Sequence, residues 1–125
     1  MAEEWIEKIT KRLYLEFDEV EKLSKISKQV AEMYFERKKI SRKAPSTIAL
    51  GSVYLANLLL NYKLTQKELI KATGNIRSIH ALIDGFQDII RSLNPDSETS
   101  FHWYYPRDYK PVLEYLKKCI TDLEI

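Results

Sequence analysis

One stretch of this chain, residues 44–60, is apolar on nearly every side when wound as a helix. A helix with no polar face has to be surrounded. Pro45 suits its first turn, where the missing N–H costs nothing. Ala44, Ala49, Gly51, Ser52 and Ala56 are small, so neighbouring helices can approach closely. The stretch therefore predicts a central helix with other helices around it. Its longest apolar run, 48–60, is too short to span a bilayer and is interrupted by Ser52 and Asn57.

The rest of the chain supplies those neighbours. Trp5, Ile6, Ile9 and Leu13 recur at helical spacing. Phe17 and Asp18 break that pattern, and Asp18 is the expected N-cap of a second helix. Val20, Leu23, Ser27, Val30, Ala31 and Tyr34 form its apolar stripe. Residues 37–43 read as a connection into the central helix. Thr65 caps a short fourth helix, with Glu68 at the reciprocal position of a capping box. Gly74 is its expected left-handed terminator. Ile76, Ile79, Ile83, Phe86 and Ile90 continue as a fifth helix. Residues 94–100 read as a polar loop and 101–106 as an aromatic cluster. Pro111, Val112, Leu116, Ile120 and Leu123 mark a sixth, amphipathic helix over about 108–123. With only three glycines and four prolines there are too few tight turns for an all-β fold. The expectation is an all-α chain of two parts. Residues 1–95 form one domain, with a helix-turn-helix at about 65–90, and 96–125 form an extension packed on it.

Chemistry is sparse. There is no Gly-rich phosphate loop and no nucleophile elbow, and no arrangement of residues supports catalysis, so the expectation is a non-enzyme without cofactors. The single cysteine, Cys119, can neither form an internal bridge nor build a zinc site. His80, Asp84 and Asp88 are spaced four apart on one helix face, which suits a metal, but such residues also simply pair on a surface. No second histidine is near, so no metal is expected. His102 reads as a loop or packing residue. Tyr104 and Tyr105 suit base stacking, but docking the last helix is the commoner role. The acidic start of the chain lacks the layout of a signal peptide. A soluble, intracellular protein without membrane contact, monomeric or weakly dimeric, is expected.

Charge is distributed unevenly. Residues 1–36 hold six basic and nine acidic residues, net −3. Residues 37–91 hold ten basic and three acidic, net +7, and residues 92–125 hold four and six, net −2. A basic middle between acidic flanks suggests a surface that faces a polyanion. The plainer alternative is a solvated face whose cations pair with acids from the flanks. The basic middle coincides with the predicted helix-turn-helix, where Lys67, Lys71 and Arg77 lie on outer sides and Ser78 adds a hydroxyl. Lysine and arginine suit phosphates, and the start of a recognition helix suits base edges.

The run RKAPSTIALGSVYLANLL (42–59) followed by TQKELIKATG (65–74) resembles the cyclin-type repeat of archaeal transcription factor B and eukaryotic transcription factor IIB. The likeness covers about residues 3–91 and is nearest to the second repeat of those factors. It implies a five-helix cyclin fold, to which the sixth helix is added. It also implies double-stranded promoter DNA as partner, beside TATA-binding protein or RNA polymerase components. The compartment would be the cytoplasm and nucleoid of an archaeon or archaeal virus, or a nucleus. One repeat fits where the family has two, and the cysteines of its zinc ribbon are missing. The turn before the recognition helix is one residue shorter, which puts Ser78 at the family's threonine and His80 at its base-reading arginine. Lys67, Lys71, Arg77, Ser78 and His80 are then expected to face DNA, with Arg42 and Lys43 on nearby phosphates. Asp84 and Asp88 would repel a phosphate placed beside them. The alternative is a cyclin-fold module that binds a protein and no DNA.

Overall fold

The computed structural model describes residues 2–38, 43–93 and 109–120. They form six helices in the order α1 (Ala2–Lys11), α2 (Phe17–Arg37), α3 (Pro45–Leu59), α4 (Gln66–Ala72), α5 (Ile79–Leu93) and α6 (Lys110–Cys119). No strand occurs among the described residues. None of these helices is long and apolar enough to cross a membrane. The expected loop at 94–100, the aromatic cluster at 101–106 with His102, Tyr104 and Tyr105, and Leu123 lie outside the described residues.

α3 is the axis of the fold. Pro45 stands in its first turn, after Ala44 in an extended conformation. Of its side chains only Pro45, Tyr54 and Leu58 escape burial. It packs against α1, α2, α4 and α5, as an all-round apolar helix requires. The closest approach is to α5, where Gly51 lies on the backbone of Gly85. A Cβ on Gly51 would stand 2.6 Å from the Gly85 carbonyl carbon, and one on Gly85 would strike the Thr47 carbonyl oxygen. The small residues therefore set the distance between these two helices.

α1 and α2 form an antiparallel hairpin that buries Ile6 and Ile9 with Leu23, Ile26, Val30 and Tyr34 against α3. α2 begins earlier than expected. Its N-cap is Glu16, in an extended conformation, and the Glu19 carboxylate accepts the Glu16 N–H at 3.0 Å. Asp18 is thus a first-turn residue and not the cap. Phe17 is helical and 73 % exposed, so its apolar side chain marks no burial.

α5 also differs from expectation, starting at Ile79 and not near Ile76. Gly74 and Asn75 are both left-handed, with φ of +73° and +62°. Two such residues extend the turn, and asparagine tolerates this conformation. The buried stripe of α5 is consequently Leu82, Gly85, Ile89, Ile90 and Leu93, while Ile76 and Ile79 are 57 % and 47 % exposed. α6 buries Val112, Leu116 and Ile120. Its preceding residue Tyr109 meets Phe86 edge-on at 5.9 Å, and the Arg37 Nη2 donates to the Tyr115 hydroxyl at 2.6 Å.

Candidate nucleic-acid interface

The candidate site is built on α4, the turn after it and the start of α5. α4 has seven residues, too few to be stable alone. Its start is fixed by reciprocal bonds. The Thr65 hydroxyl accepts from the Glu68 N–H at 3.1 Å, and the Glu68 carboxylate accepts from the Thr65 N–H at 3.3 Å. Leu69 and Ala72 face inward. Lys67 and Lys71, one turn apart, are exposed. Neither forms an ion pair among the described residues.

The end of α4 is held from a distance. The Arg12 Nη1 donates to the Ala72 carbonyl at 3.3 Å. This occupies one of the carbonyls that a helix end leaves unpaired and places a cation at the negative end of its dipole. Arg12 lies just after α1, 60 residues away, and nothing in its local sequence marks it for this contact.

Two expected contact residues turn out to hold the scaffold. The Arg77 Nε donates to the Ser46 hydroxyl at 2.6 Å, which ties the turn to the first turn of α3. Arg77 is half-buried there and is not a fully presented recognition side chain. The Ser78 hydroxyl accepts the Ala81 N–H at 3.3 Å, so it caps α5. Serine suits that task because its short side chain reaches the third N–H of the helix. His80, the second residue of α5, is exposed and borders an open depression of about 370 Å³ with Ala81, Ile83, Asp84 and Gln87.

The expected phosphate contacts of the α2–α3 connection divide. Arg42 lies outside the described residues. Lys43 pairs with Asp84 at 2.6 Å, which brings it within one turn of His80 along α5. Lys38 pairs with Asp88 at 2.7 Å. Asp88 is buried and also accepts a short hydrogen bond from the hydroxyl of the fully buried Tyr34. Asp88 therefore faces inward, where it cannot join His80 and Asp84 around a metal and cannot oppose a phosphate at the surface. No three potential metal ligands converge among the described residues. Lys38 and Lys43 thus pair with acids of their own basic segment.

Comparison of the chain with protein-family models, with curated proteins and with solved structures finds no match. The functional reading rests on the residues themselves.

Proposed function

We propose that the chain is a non-catalytic, DNA-binding module of the transcription factor B type, which meets duplex DNA through α4 and the start of α5. The observation that carries this reading is the outward pair Lys67 and Lys71 on a capped α4, beside the turn that leads to exposed His80. A central helix wrapped by four others, with a short helix and a turn before the fifth, supports a cyclin-type arrangement. In this reading Lys67 and Lys71 neutralise phosphates. His80 approaches a base edge, while Arg77 and Ser78 set the turn and the start of α5. Lys43 joins them by exchanging Asp84 for a phosphate, and Arg42 lies beside it in sequence. TATA-binding protein is the proposed neighbour on the promoter.

The test is an anisotropy titration at low salt with AT-rich duplexes, with and without TATA-binding protein. Binding that weakens with salt, and weakens further when Lys67 and Lys71 become alanine, supports the proposal. One observation favours a second reading. Ile76 in the turn and Ile79 at the start of α5 are large, apolar and exposed where a DNA-reading surface would carry polar side chains. If no duplex binds, or if the double alanine variant binds equally well, the module is a protein-binding one and these isoleucines are its first contacts.

A further inference from the structure

We infer that the groove between the start of α1 and the last two turns of α2 docks a short basic segment of a partner protein, one with an apolar side chain between its cations. The groove encloses about 500 Å³ and is lined by Ala2, Glu3, Ala31, Glu32, Phe35 and Glu36. Ala2 and Ala31 make a low apolar floor, and Phe35 forms a wall that is 38 % exposed. The remaining lining side chains are three carboxylates of one sign.

Two of these carboxylates, Glu32 and Glu36, are badly placed for the fold. Glu32 and Glu36 stand one turn apart on α2, where like charges repel. They also lie toward the C-terminal end of that helix, where its dipole disfavours anions. Glu3 faces them from α1 across the groove. Among the described residues, the three cations nearest to Glu32 and Glu36 along α2 and its cap are committed elsewhere. Lys28 bonds Glu7 at 2.7 Å, Arg37 turns to Tyr115 and the Ser92 carbonyl, and Lys38 pairs with Asp88. No ion pair among the described residues includes Glu3, Glu32 or Glu36. A local arrangement that costs stability, with no compensating ion pair among the described residues, is the mark of a functional surface. An incoming lysine or arginine supplies the compensation, and an apolar residue beside it covers Phe35. The occupant is thus chosen by charge complementarity over an apolar floor.

The probe is a fluorescein-labelled twelve-residue peptide in which lysines flank leucines at helical spacing. Two control peptides replace its lysines by glutamate or its leucines by serine. Titrated against the full chain without DNA, the lysine–leucine peptide is expected to bind and the glutamate version is not. The doubly substituted chain Glu32→Gln/Glu36→Gln should bind it about tenfold more weakly, a loss of about 1.4 kcal/mol. Phe35→Ser should weaken it as well, and the serine peptide should bind less than the leucine one. Glu32 and Glu36 are exposed, so their substitution leaves the fold intact, which the far-ultraviolet circular dichroism checks. Unchanged binding by the Glu32→Gln/Glu36→Gln chain overturns the inference. So does equal binding of the serine peptide, because the apolar floor then plays no part. A dimer in sedimentation that dissociates in the same variant also overturns it, in favour of a second copy as occupant. None of these outcomes depends on whether the chain binds DNA.

Discussion

Asp88 joins the core to the surface through one carboxylate. Its carboxylate accepts from Tyr34 inside the core and from Lys38 at the edge. Asp88→Ala removes the carboxylate that accepts from the buried Tyr34 hydroxyl, whereas Lys38, 39 % exposed, can turn to water. The expected loss is about 1–3 kcal/mol, the cost of losing a buried hydrogen bond to a charged group, read as a lower denaturant midpoint at unchanged slope. Tyr34→Phe in the Asp88→Ala background should then cost less than Tyr34→Phe alone, because the two groups share one interaction. Glu7 gives a pH signature. The hydrogen bond from Lys28, then the charges of Lys28 and Lys11, hold its carboxyl below the ordinary glutamate value. A folded-state pKa that is depressed contributes stability above the unfolded value and loses it as pH falls through the folded one. Glu7→Gln should therefore flatten the acid limb of stability against pH by lowering the neutral side slightly and leaving the most acidic region, where Glu7 is already protonated, unchanged, with chemical denaturation at several pH values as the measurement. Both partnerships span long sequence distances. Asp88 looks like a surface acid when it is placed by spacing alone, because only the fold brings Tyr34 and Lys38 to it.

Among the elements, α3 was legible from its residues and α5 only in part. An unbroken apolar pattern, a first-turn proline and a run of small side chains admit one placement for α3, at the centre. The capping box at Thr65 and the left-handed Gly74 were equally plain, since both are local chemistry. The start of α5 was hidden by Asn75, a second left-handed residue that moved the helix past Ile76. The start of α2 was hidden because glutamate, a less usual cap than aspartate, took that position. The α3–α5 crossing yields a sharp test. Alanine at Gly51 or Gly85 places a methyl group on the backbone of the other helix, which no rotamer change can relieve. Each substitution should destabilise by about 1–3 kcal/mol or more, as overpacking does. Gly74→Ala meets only the Arg12 Nη1, at an ordinary 3.5 Å, but stands at positive φ, so it should cost less and act through the turn. α6 is tested by Leu116→Ala, which empties a fully buried site. A loss of about 2–5 kcal/mol is expected if the extension is part of the folded unit, and an unchanged melting temperature would show that α6 folds separately.

Over the whole molecule the charge pattern was visible in composition, but the pairing that reshapes it was not. The segment 37–91 carries net +7, yet Lys38 and Lys43 already hold Asp88 and Asp84. Among the described residues of the proposed face, Lys67 and Lys71 of α4 are exposed cations without an ion pair. Salt dependence of DNA binding separates the two groups. Each lysine that neutralises a phosphate contributes about 0.9 to the slope of log affinity against log salt. Replacing Lys67 and Lys71 together should thus lower the slope by about 1.8. Lys43→Ala should lower it by less than about 0.9, because Lys43 begins paired. Asp84 makes the difference measurable. If it competes with phosphate for Lys43, Asp84→Asn should tighten binding and steepen the slope, and adding Lys43→Ala should remove both gains. An exposed pair of this kind contributes little to stability, about 0–1 kcal/mol, so the fold survives the change and affinity alone is read. If Asp84→Asn leaves affinity unchanged while the Lys67/Lys71 variant still loses it, DNA meets α4 without reaching Lys43. The bound duplex would then lie along α4 and the turn, clear of the first turn of α3.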